Sequence, residues 1–202
     1  MSWQAYAHFI ERDGLEFRTE ADLRYGTEAK HLLGSVLMIN PGSSRYWKGD
    51  GNGLSRATTD LTFRIIISLV EKAYKKAGKA VEPNSYIKIL NLFDLRESNL
   101  NLAMEQFNIL KAKKEFNHLL FASLKKMDIE SPWIWIGWGS EKRHPDLRQQ
   151  MIKLVEQIPS DKIIGCKILG EEVGYYHPKY IQLNKKLPSI LIQQLNQLLL
   201  VL

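Results

Sequence analysis

The sequence predicts an α/β protein in which a central sheet lies between two layers of helices. Four short apolar runs, each bounded by turn residues, are too short for helices and suit buried strands. Segments with helical periodicity separate these runs, and strands that alternate with helices form right-handed crossovers between parallel strands. We therefore expect a three-layer α/β/α fold with a mainly parallel sheet of four strands.

The predicted elements follow one another along the chain as strand and helix. The strands cover residues 35–40, 86–91, 133–137 and 163–169. Thr58 or Thr59 would cap the first helix, and Gly78 would end it. A second helical region covers about 101–127, a third begins at Pro145 and ends near residue 158, and a last helix follows Pro188.

Length and composition indicate one domain over residues 1–202, because 45% hydrophobic content supplies one substantial core at this length. Residues 1–30 are expected to form an N-terminal extension packed on an α/β core of residues 31–202, as either a helix or a hairpin. The single cysteine, Cys166, excludes internal disulfides and agrees with a cytoplasmic location. No segment is a secretory signal or a membrane span, so no membrane partner is expected.

The first predicted strand ends abruptly at Asn40-Pro41-Gly42-Ser43-Ser44. In open α/β sheets, ligands bind at the carboxyl ends of the strands, where a strand fixes the last residue and the following loop shapes the pocket. Asn40 is therefore the first candidate for chemistry, and the four residues after it are candidate substrate contacts.

The loop that follows is too long for a simple connection and suits a lid or a phosphate-contacting loop. Its basic residues Arg45, Lys48 and Arg56 are candidate phosphate contacts. The net charge of +6 favours a polyanionic partner, although solvated helix faces also account for the lysines on helices.

The second predicted strand ends at Asn91, which is followed by Phe93 and Arg96. An asparagine amide can donate and accept at the edge of a nucleobase, but asparagines also often cap turns by bonding to the backbone. We expect Asn91 and Phe93 to contact substrate, and Arg96 to contact an anion or to form a surface ion pair.

Two residues near the later strand ends complete the candidate site, Trp138 after the third and His177 after the fourth. A histidine before proline presents its ring predictably and can bond a developing anion; the alternative is a surface histidine packed beside Tyr180. Trp133 and Trp135 alternate with isoleucines and are expected in the core. The other histidines lack metal-ligand spacing, so neither a metal nor a cofactor is expected.

Five short motifs, in order, resemble the family known as domain of unknown function 1643. They are Asn-Pro-Gly-Ser from Asn40, Asp60-Leu61-Thr62, Asn91-Leu92-Phe93-Asp94-Leu95-Arg96, Trp138-Gly139 and His177-Pro178. The match covers most of the chain after about residue 18.

The same residues also resemble, more distantly, the uracil-DNA glycosylase superfamily. Met38-Ile39-Asn40-Pro41-Gly42 is similar to the strand end whose asparagine positions the attacking water, and Ile89-Leu90-Asn91 to the strand whose asparagine reads the pyrimidine edge. His177-Pro178 is similar to the pair whose histidine stabilises the departing base. The resemblance implies a uracil-DNA-glycosylase-like fold and hydrolysis of an N-glycosidic bond without a metal.

That resemblance assigns water orientation to Asn40 and the leaving base to Asn91 and His177, with Asp60 either a second water-orienting carboxylate or a helix cap. Lys179-Tyr180-Ile181 replaces the apolar wedge of the glycosylases, so a nucleotide or single-stranded DNA or RNA is expected rather than duplex DNA. The alternatives are a non-catalytic nucleotide or nucleic-acid binding module with the same pocket, or an interaction protein associated with phage or defence. The oligomeric state is not predicted.

Overall fold

The computed structural model describes residues 1–45 and 53–201, which form one mixed sheet of seven strands with helices around it. The strands are β1 (Trp3–Arg12), β2 (Leu15–Tyr25), β3 (His31–Met38), β4 (Ser55–Ala57), β5 (Ser85–Asn91), β6 (Ile134–Ile136) and β7 (Ile163–Ile164). The α-helices are α1 (Leu61–Lys76), α2 (Leu100–Lys113), α3 (Asn117–Leu120), α4 (Pro145–Gln157), α5 (Pro178–Leu183) and α6 (Leu187–Val201).

The order of the strands across the sheet is β4-β1-β2-β5-β3-β6-β7. β5, β3, β6 and β7 run parallel, whereas β4, β1 and β2 pair antiparallel to their neighbours. The α/β class is confirmed, but the sheet is larger than the four strands predicted, and it is mixed. The predicted strand 163–169 is also shorter, since β7 has only two residues.

The N-terminal segment is a hairpin that extends the sheet. Asp13 and Gly14 connect β1 to β2 with φ angles of 53° and 74°, the left-handed conformation that two-residue hairpin turns require. β2 then pairs with β5 along Asp22 to Tyr25. Of the two alternatives for residues 1–30, a helix or a hairpin, the structure shows the hairpin.

Alternating side chains divide the core between the two faces of the sheet. On β3, Val36 and Met38 belong to the cluster that includes α1, α5 and α6, whereas Leu37 belongs to the cluster that includes α2, α3 and α4. Trp133 and Trp135 are fully buried on the first face, as predicted. The parallel strands are thus covered on both faces, as their continuous apolar sequences require.

The C-terminal helix α6 is amphipathic. Leu191, Leu195 and Leu199 are buried and pack in the same cluster as α1, whereas Leu200 and Val201 are exposed. Within residues 1–45 and 53–201, no helix combines the length and the apolar character needed to cross a membrane.

Neither Thr58 nor Thr59, the two predicted caps, caps helix α1, which begins at Leu61. Its cap is Asp60, whose Oδ1 accepts a hydrogen bond of 2.9 Å from the backbone N–H of Phe63. This bond satisfies an amide that has no partner within the helix, and a negative charge there is favoured by the helix dipole. The helix ends as predicted, with Gly78 at a φ of 69°.

We predict that Asp60→Ala lowers the free energy of unfolding by about 1 kcal/mol, because the cap of α1 is lost. Asp60→Ser is the matched comparison, since a serine hydroxyl can accept the same bond but lacks the negative charge near the buried Arg18, and it should be more stable than Asp60→Ala by the contribution of the cap. Urea denaturation measures both. Equal stability of the alanine and wild-type proteins would contradict the capping role.

Candidate functional site

A cleft of about 900 Å³ lies beside the carboxyl ends of β3 and β6. It is lined by polar, charged and aromatic residues together with a few aliphatic ones, from the segments that follow β3, β5, β6 and β7: Ile39, Asn40, Ser98, Leu100, Asn101, Trp138, Gly139, Ser140, Arg143, His144, Ile168, Glu171, Tyr176, His177, Lys179 and Tyr180. This is the position at which parallel strands present ligand-binding residues. Asn40, Trp138 and His177, all predicted site residues, share this cleft.

Asn40 is held by its amide nitrogen. Nδ2 donates a hydrogen bond of 2.8 Å to the backbone oxygen of Glu97. The side-chain oxygen, Oδ1, accepts no hydrogen bond from the described part of the chain, so the group that Asn40 offers to a ligand is an acceptor. An acceptor with a fixed direction can orient a water molecule.

His177 offers a hydrogen-bond donor to the cleft, whereas Asn40 offers an acceptor. It caps the short helix α5, and its Nδ1 accepts from the backbone N–H of Lys179 at 3.3 Å. In the neutral imidazole the proton then lies on Nε2, which makes this atom a donor. Burial and the nearby Lys179 ammonium lower the pKa of His177 to about 4, so the neutral form prevails at pH 7. The ring also packs edge-to-face on Tyr180, at 6.5 Å between centroids.

The loops after β6 and β7 are joined by hydrogen bonds that shape one wall of the cleft. Trp138 is 1% exposed, and its Nε1 donates to the backbone oxygen of Val173 at 2.7 Å. Ser140 Oγ donates to Glu171 Oε1 at 2.6 Å, and the backbone N–H of Glu141 donates to Glu171 Oε2 at 2.8 Å. Glu171 is therefore a fixed carboxylate with a protein donor on each oxygen.

Asn91 does not line the cleft, which corrects its expected place in a shared base-binding site. It is 1% exposed and lies in a buried polar network. Its Oδ1 accepts from Arg18 Nη2, and its Nδ2 donates to Asp94 Oδ1, both at 3.2 Å. Both ends of the amide are thus bonded within the protein.

Arg18 and Asp94 are the charged members of this buried network, and both are fully buried. Arg18 Nη1 also donates to the backbone oxygen of Pro41 at 3.4 Å. Burial lowers the pKa of Arg18 to about 10 against the opposing effect of Asp60 and Asp94, so the guanidinium remains charged at pH 7. Burial raises the pKa of Asp94 to about 6, although hydrogen bonds from Ser123 and Asn91 and the charge of Arg18 act in the opposite direction.

Several other predicted site residues have structural positions outside the cleft. Asp60 caps α1, and Phe93 is buried against Phe107, with 4.7 Å between ring centroids. Arg96 pairs with Glu16 at 2.8 Å and also donates to the backbone oxygens of Ser43 and Ser44. The ion-pair alternative for Arg96 thus matches its position.

The segment after Asn40 turns away from the cleft. Pro41 and Ser44 are buried, Gly42 has a φ of 64°, and Ser43 is exposed. None of these four predicted substrate contacts lines the cleft. The segment forms a turn, and its backbone carbonyl oxygens accept hydrogen bonds from Arg18 and Arg96.

The predicted phosphate contacts Arg45 and Arg56 are exposed and also lie outside the cleft, and Lys48 lies outside the described residues. Arg56 belongs to the edge strand β4. With Trp3 and Arg64 it lines a separate hollow of about 290 Å³.

The residues that sequence reasoning missed are Arg18 in the buried network and, in the cleft, Asn101, Ser140, Arg143, His144, Glu171, Tyr176, Lys179 and Tyr180. One signal was available, because His144-Pro145 repeats the His-Pro pair that drew attention to His177. The residues on either side of Arg18, Phe17 and Thr19, did not mark it as buried.

Within residues 1–45 and 53–201, no group of three or more His, Cys, Asp or Glu side chains could hold a metal ion. No family model matches the chain, and neither does any curated protein or solved structure.

We predict that Asp94 makes the protein less stable as pH rises from about 4 to 6. Its pKa is raised in the folded state from 3.8 to about 6, so the folded protein binds the proton more tightly than the unfolded chain does. The stabilisation is complete below the unfolded pKa and is lost as pH rises through the folded pKa, by roughly 3 kcal/mol in all.

Urea denaturation across this pH range in wild type and Asp94→Asn tests the prediction. The variant lacks one acceptor oxygen and should be less stable overall, but the difference from wild type should shrink as pH rises. Asp13→Asn, in the exposed hairpin turn, is the matched control and should follow wild type. Parallel curves for Asp94→Asn and wild type would refute the prediction.

Proposed function

We propose that this protein hydrolyses the N-glycosidic bond of a nucleobase-containing substrate, either a nucleotide or a single-stranded nucleic acid. The observation that carries the proposal is the pairing of opposite polarities in one cleft. Asn40 offers the acceptor Oδ1, and His177 offers the donor Nε2–H. Breaking a glycosidic bond requires an oriented water near the sugar and a donor at the departing base.

In the proposed reaction, the water oxygen adds to the anomeric carbon while the glycosidic electron pair leaves with the base. The sugar passes through a cationic transition state, and the base carries the negative charge. Asn40 Oδ1 accepts a hydrogen bond from the water and directs it, and His177 Nε2–H donates to the leaving base. The water loses one proton to solvent and the base takes one up, so the products are a free sugar hemiacetal and a neutral base.

The cleft also has the size and the aromatic content for a nucleoside. Its volume of about 900 Å³ is in the range of small-molecule sites, and Tyr176 and Tyr180 both line it. Aromatic faces stack on any base with little sequence preference, which suits a nucleotide or an unpaired strand.

The resemblance to the uracil-DNA glycosylases supports the roles of Asn40 and His177 but not that of Asn91. Because both ends of the Asn91 amide are bonded to Arg18 and Asp94, we assign it to support of the strand ends. Asn101, an exposed residue that lines the cleft, takes its place as the candidate amide for contact with the base.

A second candidate function is binding without turnover. The carboxylate in the cleft, Glu171, already has a protein donor on each oxygen, so it is not a free general base. This observation favours a nucleotide or nucleic-acid binding module. Retention of ligand without release of base distinguishes the two functions.

We predict that wild-type protein releases free base from at least one member of a panel of modified nucleosides, nucleotides and single-stranded oligonucleotides. Asn40→Ala should lower the rate by about 10²-fold to 10³-fold, because the oriented acceptor is lost. Gln197→Ala, which truncates an amide on the exposed surface of α6, is the matched control and should keep the wild-type rate. Chromatography of the products measures base release, and thermal unfolding checks the fold.

Two results would contradict the proposed hydrolysis. If correctly folded protein binds panel members but releases no base, the binding module is the function. If it neither binds nor cleaves any member, the proposed substrate class is wrong.

The pH profile of base release tests the state of His177. Because its pKa is lowered to about 4, the ring stays neutral and its Nε2–H remains a donor from about pH 5 to 8. We therefore expect that the rate of base release does not change near pH 6.5 through titration of His177. If the wild-type rate does change at that pH, and the change is lost in His177→Gln but kept in His118→Gln on the surface, the neutral donor role is contradicted.

A further inference from the structure

The cleft also carries groups that the proposed reaction does not use. His144 is 8% exposed and lines the cleft, yet its side chain forms no hydrogen bond with the described residues. Arg143 and Lys179 also line the cleft, are exposed, and form no ion pair within the described ranges. The ring of His144 is therefore mostly buried, and its nitrogens are open to the cleft and have no protein partner among the described residues, so they are available to a ligand.

His144 occupies the N-cap position of α4, a helix of 13 residues, and no side chain caps this end. The amino end of a helix carries a partial positive charge that favours an anion. The dipole therefore adds to the positive charge of Arg143, the residue before His144, and Lys179 lines the same cleft.

The nearby carboxylates do not neutralise this charge by direct pairing with it. Glu171 accepts from Ser140 and from the backbone of Glu141. Asp146, in the first turn of α4, accepts from Asn108 at 2.9 Å. Arg143 and Lys179 thus remain available to a ligand.

We infer that the part of the cleft formed by Arg143, His144 and Lys179 is an anion subsite that takes a phosphate group of the substrate. The identity of the rest of that substrate rests on the function proposed above. Arginine matches the oxygens of a phosphate with two parallel N–H donors, and lysine adds a point charge. The His144 ring supplies a hydrogen bond to a phosphate oxygen.

The subsite separates two kinds of nucleoside ligand. A free nucleoside offers no anion to Arg143 and His144, whereas the phosphate of a phosphorylated nucleoside can bind both. The phosphate is either the monoester of a free nucleotide or the diester of a nucleic-acid strand, and the chemistry of the site is common to both.

The direct test uses inorganic phosphate as the probe and the histidine ring signals of the full chain in NMR spectra. His144→Gln identifies the signal of His144 in wild type. We expect phosphate to shift this signal saturably, and Arg143→Gln to weaken phosphate binding at least about tenfold. Lys153→Gln, which removes one exposed positive charge from α4 outside the cleft, is the matched control and should bind as wild type does.

A second arm compares a nucleoside, its 5′-monophosphate and a short single-stranded oligonucleotide by calorimetry. The phosphorylated ligands should bind at least about tenfold more tightly than the nucleoside, and Arg143→Gln should remove that difference. Tighter binding of the monophosphate identifies a free nucleotide, and tighter binding of the oligonucleotide identifies a strand.

The two proposals fail separately. Absence of a saturable shift of the wild-type His144 signal with phosphate and both phosphorylated ligands overturns the subsite. Measurable but equal affinities for the nucleoside, the monophosphate and the oligonucleotide overturn it as well. If phosphate shifts His144 but no nucleoside compound binds or is cleaved, the subsite stands and the proposed function fails. Because the wild-type titration decides the first point, instability of a variant does not affect it.

Discussion

The structure depends on how one buried cation, Arg18, is satisfied. A guanidinium removed from water costs several kcal/mol unless hydrogen bonds and opposite charge compensate it. Arg18 comes from β2 and donates to Asn91 at the end of β5 and to Pro41 just beyond β3. The carboxylates of Asp60 and Asp94 supply the opposite charge. The same compensation therefore connects three strands at the end of the sheet from which the cleft is built.

This network explains the different positions of two asparagines that look alike in the sequence. Asn40 and Asn91 both follow apolar strand residues, and both were candidates for the ligand site. The Asn91 amide stays in the interior because its oxygen accepts a hydrogen bond from the buried Arg18 guanidinium. Asn40 is anchored by one nitrogen to the Glu97 carbonyl, which leaves its oxygen free for a ligand.

Two His-Pro pairs place imidazole rings in the same cleft, because each pair stands at the start of a helix. In each pair the histidine occupies the N-cap position of a helix and proline the first turn, which places His144 at α4 and His177 at α5, although only the His177 side chain forms a capping bond. Burial lowers the pKa of both rings, so each is available as a neutral group that can donate or accept. In our proposals one ring acts at the base and the other at the phosphate.

Local pattern in the sequence determined the α/β class, the positions of β3, β5 and β6, the end of α1 at Gly78, the start of α4 at Pro145 and the burial of Trp133 and Trp135. Each of these depends on periodicity, turn residues or capping within a short window. Asp13-Gly14 was also a local hairpin signal, but only tertiary structure decided that β2 pairs with β5 and enlarges the sheet. Only the tertiary structure decided that Asn91 is buried and that His144 reaches the cleft. The desolvation and the charges that determine these positions come from groups far apart in the sequence, as Arg18 and Asn91 are.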